Sequence, residues 1–83
     1  MIVIARTSKQ IGEIIRRNRR KKKQTQGSLA NFAGVRQATI SKLESGDPSK
    51  QLDILMTILA KLDLEMVIRP RSKPSADDTA EMF

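Results

Sequence analysis

The sequence predicts a small, mostly helical fold with one short strand near its C-terminal end. A chain of 83 residues has room for a single domain. Apolar residues recur at helical spacing in four successive segments, and the period then changes to two over "LEMVIRP". We therefore expect four or five short helices and the strand in residues 1–71, followed by a disordered acidic tail in residues 72–83.

The first helix has the clearest start signal. Thr7 with Gln10 three residues later is typical of a capping box. Ile11, Ile14 and Ile15 then form a narrow apolar stripe. The basic stretch "RRNRRKKK" continues this helix towards a loop. Its cations could simply keep the surface soluble, or they could flank a polyanion.

Two short helices separated by glycine follow. Thr25 is placed to cap the second helix, with Leu29, Phe32 and Ala33 expected to face inward. Gly34 is a natural left-handed stop. The third helix covers "RQATISKLES", ends before Gly46, and is expected to turn Ala38, Ile40 and Leu43 towards its buried side.

The fourth helix has a strong apolar face, predicted mainly as domain core. Its members are Leu52, Leu55, Ile58, Leu59 and Leu62. The strand that follows cannot stand alone. We predict that Leu64, Met66, Val67 and Ile68 pair with the same strand of a second subunit in a homodimer. Pairing with "MIVIA" inside one subunit is the alternative, and both could coexist.

Composition restricts the function. The chain has no Cys and no His, so it lacks the commonest nucleophiles, general bases and metal ligands. We expect no enzyme activity, no cofactor and no metal. The apolar start is too short for a signal peptide or membrane span, so we expect a cytoplasmic, nucleoid-associated protein.

The positive charge is concentrated at the front of the chain. The net charge is +7, and residues 1–24 hold nine Lys or Arg against one Glu. A basic domain attracts polyanions, of which nucleic acid is the commonest in a cytoplasm.

The two short helices joined by a tight glycine turn have the signature of a helix-turn-helix. In that motif the second helix enters the major groove and reads bases with its first residues. Gln suits adenine, Arg suits guanine, and the Ala or Thr methyl group suits the thymine methyl. The predicted base-reading residues are Arg36, Gln37, Ala38, Thr39 and Lys42.

The stretch "TQGSLANFAGVRQATISKLESG" resembles the helix-turn-helix of the Cro/C1-type (XRE) repressors, which have a lambda-repressor-like fold. The matching residues are Thr25, Gln26, Leu29, Ala30, Gly34, Val35, Gln37, Ile40, Ser41, Glu44 and Gly46. The resemblance implies that Gln26 bonds a phosphate and steadies Gln37, and that Arg19 and Glu44 form a structural ion pair. The expected phosphate contacts are Gln26, Ser28, Ser45, Arg16, Lys22 and Lys23.

Position 36 departs from the pattern. Many relatives have Ser or Thr there as the helix cap, whereas this chain has Arg36. A cap contributes about 1 kcal/mol, so its absence suggests that Arg36 serves DNA binding.

The layout of one such domain, one strand and an acidic tail is similar to HipB-type antitoxins. That resemblance implies an autorepressor that also binds and neutralises a HipA-like Ser/Thr kinase toxin. The apolar Phe83 near the end of the acidic tail is a possible partner anchor. Two alternatives are a stand-alone repressor without a toxin, and a protein-binding module whose DNA affinity is only electrostatic.

Overall fold

The described part of the chain contains four short helices. The computed structural model describes residues 3–47 and 51–71. The helices are α1 (Ser8–Lys21), α2 (Gln26–Ala33), α3 (Gln37–Glu44) and α4 (Leu52–Lys61). Helix α3 packs against α1 and α2, and α4 packs against α2. The mostly helical fold class is thus confirmed.

The start signals predicted for the first two helices are confirmed. Thr7 and Gln10 form a complete capping box at α1. The Thr25 hydroxyl accepts from the Ser28 backbone N–H at 3.0 Å, which satisfies one of the unpaired donors of α2. Gly34 ends α2 in the left-handed conformation, with φ of 73°.

A single apolar core joins the four helices. Its buried members are Ile15, Leu29, Ala30, Ile40, Leu43, Ile58, Leu59 and Leu62. Because α1, α2 and α4 all contribute to this core, α3 is supported from its inner side. Its outer side is left exposed.

Three residues expected on buried faces lie outside. Phe32 is 56% exposed, and the Lys61 ammonium lies 4.6 Å from the centre of its ring. Leu52 is 64% exposed at the first turn of α4. Ala38 is exposed on α3. Helical spacing correctly assigns these residues to helices, but the neighbouring elements do not cover them.

The predicted strand has no partner within the described residues. Residues 64–71 follow α4 without regular secondary structure, and no strand pairs them with residues 3–5. The alternative of intramolecular pairing is therefore not observed. Val67 is 71% exposed and Ile68 is 92% exposed. Pairing with a second subunit stays a prediction, and the tail with Phe83 lies outside the described residues.

Candidate nucleic-acid interface

The turn between α2 and α3 fixes how α3 leaves the core. Gly34 adopts φ of 73°, a conformation that glycine reaches without steric cost. The Val35 backbone N–H then donates to the Ala30 carbonyl at 2.9 Å, which closes the end of α2. The chain thus reverses tightly and starts α3 on the surface.

The first turn of α3 presents polar side chains to the outside. Arg36 occupies the N-cap position with extended backbone but makes no side-chain cap hydrogen bond. Gln37, Ala38 and Lys42 are exposed on α3. Thr39 is half-buried, whereas Arg36 is exposed like the other three predicted base-reading residues. Four of the five therefore lie on the outer surface, with Thr39 at its edge.

Gln37 lies close to the start of α2. Its Oε1 is 3.6 Å from the place where a Cβ atom on Gly27 would lie. Gln26, which was expected to steady Gln37, instead donates through Nε2 to Glu44 Oε1 at 3.2 Å. No hydrogen bond from Gln26 to Gln37 occurs in the described chain.

Glu44 is the centre of a buried network at the other end of α3. Arg19 donates to both of its carboxylate oxygens, at 2.6 Å from Nε and 3.1 Å from Nη2. The remaining guanidinium nitrogen, Nη1, donates to the Gln24 carbonyl at 2.7 Å. This two-pronged geometry joins α1, the α1–α2 loop and α3, so the ion pair implied by the resemblance is present.

A shallow depression lies beside this network. Its rim carries Arg16 and Arg20 of α1, Gln26 of α2, and Ser41 and Ser45 at the end of α3. Cations, an amide and hydroxyl groups are the side chains that bind phosphate oxygens. Three predicted phosphate residues, Arg16, Gln26 and Ser45, therefore meet in one place.

Sequence reasoning missed Arg20 and Ser41. Arg20 lies one turn beyond Arg16, and Ser41 lies one turn before Ser45. The i, i+4 spacing along each helix was the signal that could have found both residues. They complete the depression on its α1 and α3 sides.

The other predicted phosphate residues lie elsewhere. Lys22 Nζ forms an ion pair with Asp63 Oδ2 at 2.7 Å, beyond the end of α4. This hydrogen bond and the charge of Lys22 lower the pKa of Asp63 below its usual 3.8. Lys23 and Ser28 do not line the depression.

Two other kinds of site are absent from the described part of the chain. Residues 3–47 and 51–71 contain no group of three or more Asp, Glu, His or Cys side chains suited to a metal ion. None of the four helices is long and apolar enough to cross a membrane.

Comparison with known proteins agrees with this geometry. HipB in a HipA-HipB-O2-O3 complex is 28% identical, with a TM-score of 0.75, over 82% of this chain and 96% of that one. HipB in a HipB-O4 20mer complex gives the same values. The restriction-modification controller protein C.AhdI from Aeromonas hydrophila, 24% identical, shares the fold with a TM-score of 0.64 over 70% of this chain and 84% of that one.

No curated protein matches the chain at a significant level. The helix-turn-helix family HTH_3 matches residues 15–68, more than half of the sequence. The chain therefore belongs to the HTH_3 helix-turn-helix family of Cro/C1-type DNA-binding regulators.

Proposed function

We propose that the chain is a sequence-specific transcriptional autorepressor and an antitoxin that binds and neutralises a HipA-like Ser/Thr kinase. The observation that carries the DNA-binding part is the exposed first turn of α3, together with a depression rimmed by Arg16 and Arg20 towards the other end of the same helix. Candidate base readers and candidate phosphate binders thus lie along one helix, as a major-groove helix requires.

In this proposal α3 reads the bases. Arg36 and Gln37 contact base edges bidentately, and Ala38 and Thr39 contact thymine methyl groups. Lys42 lies one turn further along the same helix. Arg36 is exposed at the start of α3, so its guanidinium can reach a base edge.

Phosphate contacts position the domain. We assign them to Arg16, Gln26 and Ser45 around the depression, with Ser28, Lys22 and Lys23 extending the contact beyond it. The Gln26 amide nitrogen has two hydrogens and uses one on Glu44. The second hydrogen remains for a phosphate, so one side chain would link the DNA backbone to the end of α3.

The proposed active species is a homodimer. Met66, Val67 and Ile68 are 41%, 71% and 92% exposed, which is costly for three consecutive apolar residues in water. Pairing of residues 64–68 with their copy would remove part of this apolar surface from water. Such a dimer binds half-sites spaced by one helical turn, about 34–36 Å.

The antitoxin role rests on the likeness to HipB, which extends over 82% of this chain. One of the matching HipB structures is a complex with HipA. A two-fold dimer offers two equivalent surfaces, so we expect two kinase molecules per dimer. Phe83 is the proposed anchor for the partner.

DNA recognition is tested by in vitro selection from a random duplex library. The wild-type chain should enrich a two-fold symmetric site. Arg16→Ala combined with Arg20→Ala should weaken binding to all duplexes and reduce the salt slope by about 0.9 for each phosphate that is no longer neutralised. Lys61→Ala, which removes one cation at the end of α4, is the control for the loss of a surface charge away from the depression. Enrichment of no site would contradict the repressor role.

The antitoxin role is tested by a high-salt pull-down of the tagged full-length chain from its native cells. Recovery of a stoichiometric partner with Ser/Thr kinase activity, inhibited in the complex, is the expected result. Phe83→Ala should weaken recovery if the tail anchors the partner. Recovery of DNA alone would leave a stand-alone repressor.

A further inference from the structure

The backbones of α1 and α3 touch at Gly12. This residue is buried in the middle of α1. A Cβ atom there would lie 2.4 Å from the Leu43 carbonyl oxygen and 2.7 Å from that of Glu44. Both atoms are backbone, so neither can move aside as the end of a flexible side chain would. Only glycine permits the observed separation of the two helices.

The close approach at Gly12 is part of a longer seam. At one end, the Ser8 hydroxyl donates to the Gly46 carbonyl at 2.9 Å. At the other end, Arg19 is bonded to Glu44. Ser8, Gly12 and Arg19 thus meet residues 43–46, the end of α3 and the turn that follows it. The separation of the backbones at Gly12 therefore affects how all of α1 packs against α3.

The cations proposed to bind phosphate and the residues proposed to read bases lie on different helices of this seam. The phosphate-binding cations Arg16 and Arg20 belong to α1, whereas the base-reading residues belong to α3. A specific complex must satisfy both sets of contacts at once, and binding constellations tolerate displacements of only about 0.5 Å. Non-specific binding needs only the phosphate contacts and is insensitive to this distance.

We propose that Gly12 is a positioning residue for DNA recognition, because it sets the distance between the phosphate-binding cations of α1 and the base-reading turn of α3. This inference rests on the proposed DNA-binding function. A methyl group at position 12 must open the 2.4 Å approach by about 1 Å to reach ordinary van der Waals separation. The variant can then satisfy the phosphate contacts or the base contacts, but not both sets fully.

The test compares Gly12→Ala with the wild type in the full-length chain. Affinities are measured for the site selected by the wild type and for a scrambled duplex, at a temperature where every variant is folded by circular dichroism. We expect the ratio of the two affinities to fall about tenfold, which is the effect of removing one base-reading side chain. Affinity for the scrambled duplex should change less than about twofold.

Ile58→Val and Ile58→Ala are the controls for reduced stability. Ile58 is fully buried on α4, which packs on α2, away from the seam. These variants should bracket the stability of Gly12→Ala while leaving the affinity ratio unchanged. Ser8→Ala, which removes only the exposed hydrogen bond to Gly46, should lower the ratio by about two- to threefold and serves if Gly12→Ala does not fold.

The possible results distinguish the positioning role from the DNA-reading function on which it rests. If the wild type prefers no site, the proposed DNA-reading function fails and Gly12 has nothing to position. If the wild type is selective and Gly12→Ala keeps its affinity ratio, the positioning role is wrong and the function stands. An equal fall in the Ile58 variants would also overturn the inference, because stability alone would then explain it.

Discussion

The two ends of α3 are held in opposite ways. At the C-terminal end, Glu44 is buried and accepts hydrogen bonds from Arg19 and Gln26. At the N-terminal end, Arg36 is exposed and provides no cap. Arginine thus fixes the C-terminal end, whereas at the N-terminal end it leaves the N–H groups of the first turn without a side-chain cap. The difference suggests that stability resides at the end of α3 and ligand recognition at its beginning.

Glu44→Ala should have the largest effect on stability, because it removes the buried hydrogen bonds at the C-terminal end of α3. Arg19 would keep a buried charge without its partner, which costs about 3–5 kcal/mol in the free energy of unfolding. Urea denaturation followed by circular dichroism measures this change. Arg36→Ala at the other end should change stability by less than about 0.5 kcal/mol. Similar destabilisation in the two variants would show that the two ends of α3 do not differ in their contribution to stability.

Gln37→Ala tests the recognition end. It should remove about 1–3 kcal/mol of discrimination at one base pair of the selected site, with unchanged unfolding. Competition binding against all four bases at each position measures this effect. Thr57→Ala, an exposed change on α4, is the control. A uniform weakening on every sequence would show that Gln37 does not read a base.

Arg36→Ser sharpens the comparison by giving α3 the cap that it lacks. The serine hydroxyl can accept from an unpaired N–H of the first turn, so the variant should be more stable by about 1 kcal/mol. Affinity for the selected site should fall, because the guanidinium is removed. Thermal unfolding and binding are measured on the same samples. Unchanged affinity would remove Arg36 from the DNA contacts.

Asp63→Asn should have the smallest effect on the stability of the fold, and the size of this effect should depend on pH. Lys22 lowers the folded-state pKa of Asp63. The pair therefore stabilises the fold above the unfolded pKa of about 3.8–3.9, and this contribution disappears as the pH falls through the folded value.

The measurement is the melting temperature of wild type and Asp63→Asn between about pH 7 and pH 2.5. Asn tolerates the left-handed backbone at position 63, where φ is 60°, so the substitution isolates the charge. The difference between the two proteins should be constant near neutrality and vanish in acid. In a Lys22→Gln background the difference should be absent at every pH. A difference that persists there would assign the effect to another group.

Local signals were predictable from the sequence, and contacts between distant residues were less so. Thr7, Thr25 and Gly34 act within a few residues of themselves, so their roles follow from spacing alone. The hydrogen bond from Gln26 to Glu44 depends on how α2 and α3 are placed relative to each other. No local sequence pattern predicts that placement. The Arg19–Glu44 pair was predictable only through a resemblance.

The burial of a side chain was predicted least well where it depends on whether another helix or loop packs over that side chain. Helical spacing correctly places Ile58 and Leu62 in the core, but it also predicts a buried Leu52, which lies uncovered at the first turn of α4. Phe32 is largely exposed, with the Lys61 ammonium over its ring. The strand predicted for residues 64–68 pairs with no other segment among the described residues, and its pairing with a second subunit stays a prediction.

The free beginning of α3 has an evolutionary consequence. Arg36, Gln37 and Ala38 are exposed and hold nothing in the core, so their exchange should cost little folding free energy. With the proposed base-reading role, a lineage could therefore change the preferred DNA sequence through substitutions at these positions while Arg19 and Glu44 stay in place. Duplicated copies of such a gene could acquire separate targets quickly, since each intermediate would still fold.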